Sequence, residues 1–579
     1  MKSRFLLAAA TAALAAAPLT AQPTAFDPQR FAAHVRTLGS DTFEGRGPAT
    51  AGETKTVAYI SDQFAEAGLQ PGGDIKNGKR QWTQAVPLLK SEWVAQPTIT
   101  LDIAGTPMAL TQADQISARA PTNGMTALDL AKVPLVFAGY GVKAPERGWD
   151  DFKGQDLKGK IIVVLVNDPD FEGGEGDFGG KAMTYYGRWT YKYEEGARQG
   201  AAGVLIIHET EPASYGWATV KNSNTNTMFD IVRANPAADH PPLEAWIQTD
   251  LAERLFAASG TSLAAMKAAA RRKDFRPVPL KASLTLKGAA KTEVITSANV
   301  VGLVRGAKYP DETLIYSAHW DHLGIGAPDS TGDTIYNGAA DNGTGIAQLI
   351  EQGRAFAAGP RPDRSVVFMA VTAEEKGLLG SEYYAANPLY PAALTVGMIN
   401  TDVMGVLGPA RDFSVRGSQR FALLDILIEE AAKRGKSFSP DPRPEAGSFY
   451  RSDHFTLAKA GIPALSYGSG QDLVKGGIAR AQAWQKNYTE KMYHQPADEY
   501  APDWDFTGIA DDAALLHAVG LRLANSRSWP EWGAESEFAA KRAQSAALRS
   551  GGSSLPAKPA AERLPPPPAP APSKGERGN

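Results

Sequence analysis

Leu314-Ile315-Tyr316-Ser317-Ala318-His319-Trp320-Asp321 decides the reading of this chain: an apolar, β-rich run that stops abruptly at an imidazole and a carboxylate. Two later segments repeat the design. Val366-Val367-Phe368-Met369-Ala370-Val371 runs on to Glu374-Glu375, and Val396-Gly397-Met398-Ile399-Asn400 runs on to Asp402. Short apolar runs bounded by polar residues, with helical patterns between them, read as buried strands of an α/β sheet. Ligands of such sheets bind at the carboxyl ends of the strands. Between the first two runs, Gly338-Ala339-Ala340-Asp341-Asn342-Gly343 places another carboxylate just before a helix predicted from Ile346 to Ala358. Strands that each deliver a carboxylate or imidazole to one sheet edge predict a metal-dependent enzyme.

Outward from this region the chain divides by composition. Its 579 residues are more than one ordinary domain needs, and 43% hydrophobic residues supply ample core. Met1-Lys2-Ser3-Arg4, then Phe5-Leu6-Leu7-Ala8 and an Ala-rich run, read as a signal peptide over 1–21. Residues 22–132 are expected to form the N-terminal part of the α/β domain, with helices on both sides of a loop at Leu38–Gly47 and short strands from Val86. An inserted β-rich module is expected over 133–288 and the main α/β part over 289–530. The Pro/Ala-rich segment 531–579 is too poor in apolar residues to offset its ordering entropy and is expected to be disordered. A net charge of −3 without a basic cluster argues against nucleic acid as a partner. After signal cleavage no segment is long and apolar enough for a stable membrane span. The chain has no cysteine, so any zinc must be held by His, Asp and Glu, the donors of catalytic rather than structural sites.

Of the eight histidines, His319, His322, His454 and His494 fall in polar, loop-like stretches of the α/β region. His319 directly follows its strand, with Asp321 two residues on in a position to orient the imidazole. His494, in Met492-Tyr493-His494-Gln495-Pro496-Ala497-Asp498-Glu499, is the other strong candidate. His322 and His454 suit hydrogen-bonded structural roles equally well. His208, His240 and His517 read as core or surface residues. Taken singly, Asp341 could be a helix cap, Asp402 a turn residue, and Glu374-Glu375 a solvated helix start. Taken together, two imidazoles and three carboxylates exceed the three protein ligands of an open catalytic zinc. They fit two divalent ions sharing one carboxylate, expected to be Zn2+, with one glutamate of the pair left free to take a proton from water.

These pieces resemble the M28 family of dizinc peptidases, the bacterial leucyl-type aminopeptidases and their relatives. The resemblance rests on Ala318-His319-Trp320-Asp321-His322-Leu323-Gly324, Ala340-Asp341-Asn342-Gly343, Ala373-Glu374-Glu375, Asn400-Thr401-Asp402 and Tyr493-His494. Ser452-Asp453-His454-Phe455, Ala460-Gly461-Ile462-Pro463-Ala464 and the early Phe43-Glu44-Gly45-Arg46-Gly47 loop extend it. The module resembles a protease-associated (PA) domain through Phe137-Ala138-Gly139-Tyr140-Gly141 and Leu157-Lys158-Gly159-Lys160. The resemblance implies a mixed central sheet flanked by helices, the zinc-dependent exopeptidase fold. It implies one metal at His319 and Asp402, a second at Glu375 and His494, and Asp341 bridging them. It further implies Glu374 as general base, Asp321 as the acid orienting His319, and Tyr493 as the group steadying the tetrahedral oxyanion. The expected function is a periplasmic or secreted metallo-aminopeptidase acting on peptides with a free N-terminus. A carboxypeptidase or dipeptidase of the same fold, a one-zinc glutaminyl cyclase and a non-catalytic binding ectodomain are the alternatives.

Overall fold

The computed structural model describes residues 26–417, 419–549 and 551–558; the expected signal segment lies outside the described residues. At the centre runs a parallel set of strands, in spatial order Arg364–Val371, Tyr309–His319, Thr395–Thr401 and Ala464–Ser469. Every residue of Arg364–Val371 and of Thr395–Thr401 is buried, as strands covered on both faces must be. Val278–Val304 joins antiparallel on one side of this set and Asp412–Val415 on the other, so the sheet is mixed. Helices Pro28–Leu38, Ala51–Glu66, Thr344–Ala358 and Thr507–Ala524 pack on one another and on these strands. Asp27 caps the first of them, its carboxylate accepting from the Gln29 N–H, with Pro28 at the first helical position. The apolar runs are the buried strands of the α/β sheet they predict, and the sheet is mixed and helix-flanked as the resemblance implies.

Register brings the functional ends of the strands together. Ala318 stands opposite Ala370, His319 opposite Val371, and Ser317 opposite Asn400. The residues that follow each strand therefore leave the sheet at one edge, which is where His319, Glu374, Glu375 and Asp402 emerge.

A second sheet is built from Thr98–Ile103, Thr106–Leu110, Ile116–Ala118, Ala127–Phe137, Ile161–Leu165, Gly203–His208 and Leu243–Gln248. It has its own core, including Leu101, Leu135, Phe137, Val163, Leu205, Ile247 and Leu284. The 27-residue strand Val278–Val304 belongs to both sheets: its first half pairs with Thr98–Ile103, its second with Thr83–Trp93. The expected boundary between 132 and 133 falls inside the strand Ala127–Phe137, and the second unit starts at Thr98 instead. An amphipathic strand reads the same whichever sheet receives it, and non-local pairing makes that choice. Met228–Ile231 then returns to pair with Ser91–Leu88, adding an edge strand to the main sheet.

The expected disorder from 531 is also corrected in part. Trp532 and Phe538 are buried in the main core, stacked near Phe421 and Phe449, and Arg542 is 2% exposed. Composition averaged over the segment hides these anchors. Residues from 559 onward, including the proline run, lie outside the described residues.

Candidate metal centre

The carboxyl edge of the parallel strands carries the site. His319 is the last residue of its strand, and its imidazole is almost wholly buried. Asp341 sits in the bend ahead of helix Thr344–Ala358, where the Asp341–Asn342 peptide bond is cis. Ala373 and Val403, which adjoin Glu374 and Asp402, and His494 itself all adopt positive φ of 51° to 56°. That region disfavours side chains bearing a Cβ, and a β-branched valine most. Strained backbone of this kind persists where surrounding contacts over-determine it, typically at functional sites.

The side chains interlock around two positions. His319 Nε2 lies 3.2 Å from Asp341 Oδ1 and 3.4 Å from Asp402 Oδ1. His494 Nε2 lies 2.9 Å from Glu375 Oε2 and 3.7 Å from the other Asp341 oxygen, Oδ2. Two donors each about 2.0–2.1 Å from a tetrahedral ion stand roughly 3.3 Å apart. The spacings around His319 match that edge, and the donor set of imidazoles and carboxylates suits a divalent ion such as zinc. Ligand atoms of His319, Asp341 and Glu375 lie mutually within 4.8 Å, as do those of His319, Glu374 and Asp402. All five expected ligands thus converge.

Their surroundings drive these carboxyls in different directions. Burial opposes ionisation of Asp341, Glu375 and Asp402, yet the neighbouring imidazoles hold all three below the usual carboxylate range. Burial pushes the Glu374 carboxyl well up, partly countered by His319, with the Glu375 and Asp402 charges adding to the rise. Carboxyls at one site driven in opposite directions are the pattern of separate ligand and acid–base duties. Glu374 Oε2 lies 4.0 Å from His319 Nε2.

Asp321 sits differently from its expected pose. Its carboxylate is 3.8 Å from His319 Nδ1, which instead lies 3.1 Å from the Asp321 carbonyl oxygen. The carboxylate accepts the backbone N–H groups of Glu374 and Glu375 at 3.0 and 3.3 Å, fixing the turn that carries both glutamates. The Tyr493 ring stacks 3.9 Å from the His494 ring, centre to centre, and its side chain lines the cavity over the site.

His322 takes the hydrogen-bonded role its sequence position allows, while the supporting contacts of Asp498 and Arg46 escape sequence reasoning. His322 Nδ1 is 2.6 Å from Glu375 Oε1 and so holds the oxygen that faces away from His494. Asp498 accepts the N–H groups of Ala340 and Asp341 at 2.9 and 3.0 Å. Arg46, fully buried, donates to the carbonyls of Leu38, Trp320, Gly338 and Asp341 and ties the early loop to the site. Both stretches stand among the quoted motifs, so their positions were legible and their contacts were not. His454 is buried with neither ring nitrogen hydrogen-bonded among the described residues; it packs against Phe449, and burial pushes it down to about 3. Its expected hydrogen-bonded role is replaced by packing.

The second unit reaches into the centre. Ser223 Oγ lies 2.8 Å from His494 Nδ1, and Asn222 Nδ2 donates to the His494 carbonyl at 2.9 Å. Nothing in the polar helix Trp217–Asn224 marks these residues in the sequence. Both units line one cavity of about 670 Å³, whose walls include His319, Asp341, Glu374, Glu375, Asp402 and His494.

Residues 299–517 match peptidase family M28. A probable zinc metalloprotease of Pyricularia oryzae is 34% identical over 108 residues, which cover 19% of this chain and 21% of that protein. Leupeptin-inactivating enzyme 1 of Streptomyces exfoliatus is 30% identical over 218 residues, covering 36% of this chain and 45% of that one. The match spans less than half the length of either curated relative. An aminopeptidase from Aneurinibacillus sp. strain AM-1 shares the fold, with a TM-score of 0.52 at 18% identity, covering 87% of this chain and 95% of that one. The matched stretch contains the three strands that end at candidate ligands, and all five of those candidates.

Proposed function

We propose that the chain is an exported dinuclear metallo-aminopeptidase that removes N-terminal residues from peptides. Asp341 carries this reading, because its two oxygens approach different imidazoles, 3.2 Å from His319 and 3.7 Å from His494. In the proposal His319 and Asp402 hold one ion, Glu375 and His494 hold the other, and Asp341 spans both. Zinc is the proposed metal, the donors being those of catalytic zinc and two relatives being named for it. When bound, the ions polarise the scissile carbonyl and ease deprotonation of the attacking water. Glu374 takes the proton of that water as the new C–O bond forms, then gives it to the leaving amine as the C–N bond breaks. The Tyr493 hydroxyl donates to the developing oxyanion. Asp321 keeps Glu374 and Glu375 in place through their backbone N–H groups. His322 and Ser223 orient Glu375 and His494. Residues 1–21 serve as the export signal, and the unit from Thr98 acts as a PA-like module walling the substrate cavity.

Metal analysis of purified protein is expected to approach two ions per chain; a firm value of one sinks the dinuclear reading. A panel of N-terminally free, N-blocked and C-blocked peptides tests the reaction. Cleavage only where the N-terminus is free supports an aminopeptidase, and cleavage that instead requires a free C-terminus replaces it with a carboxypeptidase. Recovery of mature protein beginning at Gln22 from the periplasm or medium tests export.

A further inference from the structure

Several cations line the cavity over the metal centre, and some of them are paired with carboxylates. Arg119 meets Glu244 at 2.7 Å, and Arg233 meets Asp230 at 2.7 Å and Glu382 at 3.0 Å. Arg188 has no such partner. It is 7% exposed, its Nε is buried without a hydrogen bond, and its guanidinium makes no ion pair or hydrogen bond among the described residues. Arg451, on the facing α/β domain, is half-buried. It donates to the Ala213 carbonyl at 2.8 Å and lies 5.0 Å from the Tyr215 ring centre, but its Nε is also buried unpartnered and it meets no carboxylate among the described residues. The two cations sit close enough to disfavour each other, and burial with that repulsion brings Arg188 down to about 10.

Desolvating a guanidinium without a counter-charge is costly, and placing a second one beside it compounds the cost. Two other deeply buried guanidinium groups are compensated: Arg364 has Glu312 at 2.7 Å, and Arg46 is surrounded by carbonyl oxygens. An anion that enters the cavity would remove the penalty. Peptides carry carboxylates, and the planar guanidinium binds carboxylates through paired hydrogen bonds. Position supports the same ligand. Tyr493 lies within the fields of Asp341, Glu375 and Arg451, and Arg188 within those of Tyr493 and Arg451. Both arginines line the cavity whose walls also carry Tyr493, His319, Asp341, Glu375, Asp402 and His494.

We propose that Arg188 of the inserted unit and Arg451 of the α/β domain together form a subsite for a substrate carboxylate, either a terminal α-carboxylate or an acidic side chain. The inference rests on the peptidase reading and makes the inserted unit a determinant of specificity. Uncleavable probes test it separately from catalysis. Calorimetric affinities of the metal-loaded protein are measured for N-acetyl-leucyl-alanine and its C-terminal amide, and for N-acetyl-leucyl-glutamate amide and its glutamine counterpart. In one of these pairs the acid is expected to bind roughly tenfold or more tightly than its neutral partner, the range of a charge-assisted contact. The first pair reports a terminal carboxylate, the second a side chain. The acid-over-neutral ratio should fall towards one in Arg188→Ala and Arg451→Met and be partly kept in Arg188→Lys, with metal content unchanged. Equal affinities within both pairs, or a ratio that survives in Arg188→Ala, overturn the proposal. Acid preference in a protein that hydrolyses no unblocked peptide upholds the subsite and sinks the peptidase reading instead.

Discussion

Glu374 is the residue whose surroundings say most about chemistry. It shares a turn with Glu375, yet burial pushes one carboxyl up while imidazole neighbours hold the other down. Glu374→Gln keeps the shape and removes the proton acceptor. It is expected to retain the fold and metal content while activity drops on the order of a hundredfold or more. Turnover near the parent rate would remove Glu374 as the base. Ser223 allows a second test, because its hydroxyl reaches the site through the 2.8 Å contact with His494 Nδ1, while the carbonyl that accepts from Lys376 is untouched by a side-chain substitution. Such outer contacts fix the tautomer and position of a ligating imidazole, and losing one typically costs about 10–100-fold in metal affinity. Ser223→Ala should therefore lose metal to a chelator at concentrations the parent resists, with circular dichroism unchanged. Equal resistance would reduce the contact to packing.

Among the elements, helix Thr344–Ala358 couples the site to the body of the domain. It starts just after Asp341 and buries Glu351, whose side chain is 1% exposed, against Arg30, His34 and Arg354. Burial opposes ionisation, but these hydrogen bonds hold the carboxyl down at about 2, below its ordinary 4.5. A lowered folded-state value means the unfolded chain takes up protons first as pH falls. The stabilisation is thus complete above about pH 4.5 and disappears as pH drops through about 2. Melting temperatures of Glu351→Gln should lie below the parent's at neutral pH and converge with them at the acid end. A constant gap across that range would assign the loss to packing. Sequence periodicity predicted this helix well, since its apolar face repeats locally. It gave no sign of Arg30 or His34 as partners, because contacts between residues more than three hundred positions apart leave no local pattern.

At the scale of the whole molecule, the inserted unit is stitched in rather than appended. It shares the strand Val278–Val304 with the main sheet, lends Met228–Ile231 to its edge, and places Ser223 beside His494. Cutting at 133–288 would sever a β-strand at each end, whereas a short linker replacing 98–277 would leave the second half of the shared strand intact. A chain shortened in the second way is expected to keep the main core but bind metal more weakly and lose peptide selectivity. Undiminished metal retention and selectivity would show that the α/β domain builds its centre alone.

The sequence by itself determined the α/β class, the strands that end in candidate ligands, and the candidates His319, Asp341, Asp402, His494 and the Glu374–Glu375 pair, whose division of labour came only from the family resemblance. Those features are written locally, as an apolar run that must be buried and a polar residue that must then leave the sheet. Tertiary structure decided that Asp341 turns one oxygen to each imidazole, that Asp321 holds the Glu374–Glu375 turn, and that Arg46, Asp498, His322 and Ser223 support the ligands. It also decided which sheet receives Thr98–Ile103 and that Arg188 and Arg451 line one cavity, neither meeting a carboxylate among the described residues. Each of these depends on register and on packing between distant segments, where the energy lies in pairs of residues that no local window contains.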